Sequence, residues 1–444
     1  LGQSNKSSTV PASKSIFVAQ RLRIRVASHR PQFEPVVITG IGLTASVGEN
    51  RESVWRAVRE GRSAMRRLDG LPGIPDGMLI GAPVDIATDR PGELKVFALC
   101  DRVADEALDD AGIEPQDVAP ERFGCAISAH MGDARGIAEL QGLSHKYPPN
   151  DVPWFEQFLP NTACSRTASR LRLLGPRIGH STACASGLIE VLTATRAIQD
   201  GQCDIALAGS AEAIDALFAA GFYQMRVLAH HEDPQQACRP FDMDRQGFVM
   251  GEGAAMFVLE RLSHAQARGA RIYAEIVCGK LAATAHHVTS LDMESDCLAH
   301  LITQTLRSGG LAPHDIGYIN AHGTGTRQND LAEARAIRTA MGRAAQRLCV
   351  SANKSILGHL INAAGTVELA ITTLAMRDGF VPPTLNLTNP DPQCDLDCIP
   401  LVGRKNQVGM ALKLSVAFGG TLAAVALRRW DDAASQTDAG RRAA

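Results

Sequence analysis

The 444-residue chain has no CxxC pair, very little net charge (formally −2), and no apolar run near the roughly 18 residues that span a bilayer. Each absence removes a class of protein. Eleven cysteines, an odd number at irregular spacing, argue against a disulfide framework and against a structural zinc site. They favour a reducing compartment in which most thiols are small buried apolar groups, so a cytoplasmic location is expected. Balanced charge provides no basic field for nucleic acid and no acidic solvating tail. A signal-type apolar core and a repeat of solenoid period are also missing.

What is present is the composition of a packed globular protein, 45% apolar with 40 glycines. The start differs, with Lys6, Lys14, Arg21, Arg23, Arg25 and Arg30 before the first acid, Glu34. Organelle transit peptides share that composition, but an expression remnant or a basic arm packing on a partner is the expectation for residues 1–34. Residues 431–444 read as a flexible tail.

From Pro35 the pattern alternates. Val36 to Gly42 is a β-branched run ending in glycines, which predicts a buried strand turning into a loop. Helical periodicity follows near Arg51 to Gly61, Glu93 to Gly112, Leu188 to Gly201, Leu262 to Gly269, Cys297 to Gly309, Asn329 to Gly342 and Gly365 to Arg377. Short apolar runs lie between, at Phe123 to Ser128, Asp204 to Ala208, Ala255 to Leu259, Ile316 to Asn320 and Leu414 to Phe418. Strands alternating with helices of this length predict an α/β protein with largely parallel sheets. A duplication is suggested by Cys184 and by Phe418-Gly419-Gly420, each of which follows a small-residue strand.

One cysteine stands apart. In Gly179-His-Ser-Thr-Ala-Cys184-Ala-Ser-Gly187 small residues surround a thiol where an apolar helix begins, and free N–H groups at a helix start favour thiolate over thiol. A free cysteine taken alone is usually inert core. Two glycine-flanked histidines change the balance: His322 in Asn320-Ala-His-Gly-Thr-Gly-Thr326, after a short strand, and His359 in Lys354-Ser-Ile-Leu-Gly-His359. Thiol and histidines lie too far apart for zinc spacing, so no metal is expected. The pairs His230-His231 and His286-His287 do not look like chelates.

Taken together these motifs resemble the elongating β-ketoacyl-[acyl-carrier-protein] synthases of fatty-acid and polyketide synthesis. The likeness runs from about Val36 to Leu427 and includes Val37-Ile-Thr-Gly-Ile-Gly42, Thr182-Ala-Cys-Ala-Ser-Gly187, Arg239-Pro-Phe-Asp through Gly253, and Phe418-Gly-Gly-Thr421. It implies a thiolase-like α/β fold with a duplicated five-layered α-β-α-β-α core. The half at 35–275 would carry the nucleophile, and the half at 276–430 both histidines. The implied reaction is decarboxylative Claisen condensation of an acyl thioester with malonyl-[acyl-carrier-protein]. Cys184 would hold the acyl group, His322 and His359 would stabilise the enolate, and backbone N–H groups of Cys184 and Phe418 would hold the oxyanion. Lys354 and Glu368 would order the site's hydrogen bonds, Phe418 and Gly419 would form a gate, and Thr289, Ser290, Thr324 and Thr326 would line the phosphopantetheine tunnel. No cofactor is implied beyond the phosphopantetheine of the carrier protein. The expected partners are acyl carrier protein and a second copy in a homodimer, with a chain-length-factor-like subunit as the alternative. The rival function is a non-catalytic or CoA-dependent partner subunit of the same fold.

The sequence departs from the family pattern around the acyl pocket. Ala417 replaces a glycine beside the gate, Asn362 stands where glycine is usual, and Thr284 replaces a frequent acid. The stretch after His286-His287 lacks a proline, and Ala129-His-Met-Gly-Asp133 carries larger side chains than usual. These changes point to an altered substrate or partner rather than to lost chemistry.

Overall fold

The computed structural model describes residues 33–71, 73–129, 151–157, 159–291, 293 and 296–431. Strand β1 (Val36–Ala45) is buried along its whole length, which is why its apolar residues run on rather than alternate. Its glycines do not end it. They sit under helix α2 (Lys95–Ala111), where a Cβ on Gly40 would come within 2.1 Å of the Ala107 carbonyl oxygen and one on Gly42 within 1.9 Å of that of Val103. The sequence signal for a loop was therefore a signal for close helix–strand approach.

The first half continues with β2 (Phe123–Ser128), α3 (Thr162–Arg170), β3 (Arg177–Ile178), α4 (Ser186–Gln199), β4 (Ile205–Glu212), α5 (Ala216–Gln224) and β5 (Gly253–Arg261). Helix α1 (Arg51–Arg59) follows β1. The second half has β6 (Ala274–Ala283), α6 (Cys297–Gly309), β7 (Tyr318–Asn320), α7 (Arg327–Met341), β8 (Cys349–Ser351), α8 (Ala364–Asp378), β9 (Met410–Val416) and β10 (Thr421–Arg429).

Ten strands run in the order β8-β7-β9-β10-β6-β1-β5-β4-β2-β3, and β1 meets β6 through only the short stretch Val36–Ile38. Counted outward from that joint, each half repeats one pattern: first strand, fifth, fourth, second, third. Pairing senses repeat as well, two antiparallel pairs followed by two parallel ones. The sheets are thus mixed rather than largely parallel, because the last strand of each half turns back against the one before it.

Strand residues alternate between faces and so sort the core into layers. Cys125 and Ile127 pack outward with α2 and α3, whereas Ala126 faces inward to α4. Leu412 and Leu414 pack outward with α6 and α7, whereas Ala411 faces inward to α8. Helices α4 and α8 lie between the two sheets and share one apolar cluster. The result is the five-layered α-β-α-β-α thiolase-like core.

Candidate active site

Cys184 lies in a single helical turn, Ala183–Ala185, that leads straight into α4. Ala183 turns the chain at φ 48°, a left-handed value rare for a residue with a Cβ. The same device recurs at Ile361–Ala363 ahead of α8, with Ile361 at φ 38°. The counterpart of Cys184 in the duplication is therefore Asn362, not the Phe418 loop that the sequence suggested. Three residues beyond Cys184 and Asn362, Gly187 and Gly365 let the helix starts touch. A Cβ on Gly187 would fall 2.9 Å from the Thr366 nitrogen, and one on Gly365 the same distance from that of Leu188.

Burial reverses the expected effect on the thiol. Cys184 is 6% exposed, and its pKa is pushed up to about 12 because a thiolate there loses its hydration. The charge of Lys354 and the backbone N–H groups of Phe418 and Cys184 pull the other way and lose. Those two N–H groups are nevertheless directed at the sulfur.

His322 follows β7, and its loop is held from behind by α7. Glu333 accepts the backbone N–H groups of His322 (2.6 Å) and Gly323 (2.8 Å), and Asp330 accepts that of Thr324 (3.1 Å). Lys354 donates to the His322 carbonyl at 2.5 Å and lies 3.4 Å from its Nδ1. On the second ring, His359 Nδ1 accepts the Ile361 N–H at 3.2 Å. The rings meet edge to face, their centroids 5.3 Å apart. With each Nδ1 turned to a donor, a neutral ring carries its proton on Nε2. Both rings stay neutral well below the ordinary histidine value, through burial first and then through the ammonium groups of Lys354 and Lys413.

Behind the histidines, Glu368 on α8 binds Lys354 at 2.7 Å through one oxygen, while Lys413 Nζ lies 2.6 Å from the other. The Lys413 contact is an ion pair without hydrogen-bond geometry and acts as a charge contact. Lys413 also donates to the Ala321 carbonyl at 3.1 Å. Sequence reasoning missed Lys413, Asp330 and Glu333. The signals existed: Lys413 is the one charge within the apolar strand β9, and Asp330 and Glu333 lie three apart in the helix opening just after the His322 loop.

A cavity of about 110 Å³ is walled by Cys184, His322 and His359 together with Phe222, Phe248 and Phe418. Thr289, Thr324 and Thr326 also face it, but Ser290 does not: its backbone N–H caps His287 Nδ1 at 3.1 Å. Gly419 stands outside the wall, at φ 81°, and donates to the Val288 carbonyl at 2.7 Å. Ala417 is extended at φ −122°, so the positive angles of this loop fall on Gly419 and Gly420. Asn362 is buried outside the cavity, its N–H bound to Glu212 at 3.1 Å. Residues 130–133 of the departing loop lie outside the described residues.

Among the described residues no three His, Cys, Asp or Glu side chains gather as a metal site, and no helix is long and apolar enough to cross a membrane.

A family model described as β-ketoacyl synthase, N-terminal domain, matches residues 33–89 and 95–265, and its C-terminal companion matches residues 273–388. The chain belongs to the β-ketoacyl synthase family. This synthase is 36% identical over 419 residues to the tetracenomycin polyketide synthase ketoacyl synthase alpha subunit of Streptomyces glaucescens, covering 89% of this chain and 97% of the relative. It is 37% identical over 418 residues to the 3-oxoacyl-[acyl-carrier-protein] synthase 2 of Rhizobium meliloti, covering 89% and 99%. Among solved structures, a type II polyketide ketosynthase bound to a hexaketide and in complex with its acyl carrier protein superposes with TM-score 0.84 at 31% identity. The ishigamide ketosynthase/chain length factor does so with TM-score 0.80 at 31% identity; each match covers 90% of this chain and all of the other.

Proposed function

We propose that this β-ketoacyl synthase is an acyltransferase that condenses a Cys184-bound acyl group with malonyl-[acyl-carrier-protein], releasing CO2 and a β-ketoacyl product. The observation that carries this reading is the pair of neutral imidazoles beside the thiol, each with its Nε2 proton free for the shared cavity. First, Cys184 loses its proton and attacks the incoming acyl thioester; the carrier's thiol leaves with a proton. Next, the bond from the malonyl α-carbon to its carboxylate breaks, CO2 departs, and the electron pair moves toward the thioester oxygen. The two Nε2–H donors meet the negative charge growing there, which lowers the barrier without transferring a proton. The α-carbon then attacks the acyl carbon on Cys184. The tetrahedral oxyanion is held by the N–H groups of Cys184 and Phe418 until the sulfur leaves.

Lys354 and Glu368 do not touch the cavity, so their part is to position His322. Thr289, Thr324 and Thr326 are placed to guide a phosphopantetheine arm; Ser290 would serve only through the backbone of its loop. Acyl carrier protein is the partner this chemistry requires. A homodimer, or a heterodimer with a chain-length-factor-like subunit, is the proposed assembly.

The test is incubation with malonyl- and acyl-loaded carrier protein, with CoA thioesters in a parallel arm. Wild type should yield the β-ketoacyl product and Cys184→Ala should not. Equal yield from both proteins would end the catalytic reading, and product from the CoA arm alone would favour the CoA-dependent rival.

A further inference from the structure

We propose that Lys413 is a positioning residue for the decarboxylation step, in which its ammonium holds both the start of the His322 loop and the free oxygen of Glu368. This inference rests on reading the site as a condensing enzyme. Strand β9 places Lys413 opposite Asn320, two residues before His322. From there its Nζ binds the Ala321 carbonyl at 3.1 Å and approaches Glu368 at 2.6 Å, with none of the side chain exposed. Glu368 is thus clamped between two ammoniums, one bound to the residue before His322 and the other to His322 itself.

Packing alone does not call for such a charge. An apolar side chain of similar volume would fill the strand position, and replacing buried ionic groups by apolar ones is often neutral for stability. What the second ammonium adds is a positive field behind both imidazoles, which disfavours their protonation and favours an anion in front of them. The groups facing Lys413 are Glu368 from α8, Glu333 from α7, Lys354 ahead of His359, and the two histidines. Burial is the largest influence on Lys413 and pushes its pKa down to about 8; Glu368 and Glu333 oppose the shift and Lys354 adds to it. The ammonium is therefore intact at neutral pH and lost above about 8.

The experiment follows CO2 release from malonyl-[acyl-carrier-protein] against pH, alongside acylation of Cys184 by mass spectrometry. For Lys413→Met, kcat for CO2 release should fall roughly ten- to a hundredfold with KM and Cys184 acylation unchanged, as expected when a reacting group is misplaced. Wild type should lose activity as pH rises through about 8. That alkaline limb should vanish in Lys413→Met and move upward in Lys413→Arg, whose guanidinium keeps its charge. A wild-type kcat in Lys413→Met, or an alkaline limb that persists there, overturns the role. If Lys413→Met does not fold, the wild type and Lys413→Arg decide: a limb that does not move between them overturns it. No CO2 release from wild type at any pH would instead remove the condensing reading itself.

Discussion

His359 Nδ1 accepts the backbone N–H of Ile361, the residue whose φ of 38° turns the chain into α8, so the strained turn and the ring's tautomer are one device. Its counterpart ahead of α4 bends at Ala183 and presents Cys184. The duplicated fold thus uses one elbow to present a thiol to the cavity and the other to orient an imidazole toward it.

Removing either donor should slow decarboxylation while leaving acyl loading intact. For His322→Ala or His359→Ala, CO2 release is expected to fall about 10²–10³-fold, the usual loss when one oxyanion donor is deleted. Because both rings stay neutral well below their ordinary value of 6.5, the wild-type rate should be flat from pH 6 to neutrality. A fall centred near 6.5 that either substitution abolishes would contradict this assignment.

The same depressed values predict how stability responds to acid. Below 6.5 the unfolded chain binds protons at His322 and His359 that the folded chain refuses, so stability from these groups is present above 6.5 and is lost as pH falls. Thermal unfolding midpoints should therefore decline between pH 7 and 5. The slope should be shallower in the double variant His322→Ala/His359→Ala, and an unchanged slope would remove the buried imidazoles from the account.

Cys184 should react slowly with iodoacetamide in the resting protein. With its thiol pushed up to about 12 by burial, the alkylation rate should still be rising at pH 10, whereas an ordinary cysteine levels off near 9. Peptide mass mapping after timed quenching measures this. Saturation near neutral pH would mean that the helix start and the N–H groups outweigh burial after all.

Two glycines should respond to alanine with opposite signs. At Gly187 the new methyl would meet Ser210 Oγ at 2.7 Å and the Thr366 nitrogen at 2.9 Å, so the central helices must part; overpacking of this kind costs about 1–3 kcal/mol. At Gly221, inside α5, nothing lies within 4 Å, and Gly→Ala should gain up to about 1 kcal/mol from helix propensity. Guanidinium unfolding of the pair checks both signs, and a destabilised Gly221→Ala would show that α5 has neighbours of another kind.

Much of the site could be read from residues that are close in the chain. Small residues around Cys184, glycines flanking the two histidines, and apolar runs between helical stretches are local patterns. They marked six of the ten strands and both central helices, but left out Arg177–Ile178, Ala274–Ala283, Cys349–Ser351 and Thr421–Arg429, whose short or mixed patterns become strands only beside their partners. The glycines of β1 misled for the same reason: a glycine beneath a helix and a glycine in a loop look alike until the helix is present.

Sequence by itself determined most of the element types and marked the residues proposed to do chemistry, because hydrophobic period, turn chemistry and nucleophile setting are short-range properties. Only the tertiary structure decided the electrostatics. Burial turned an activated-looking cysteine into a thiol with a pKa of about 12, and strand pairing brought Lys413 from β9 to Glu368 on α8 and to the carbonyl ahead of His322. Desolvation and charge contacts depend on distances across the folded chain, and linear order does not carry those distances.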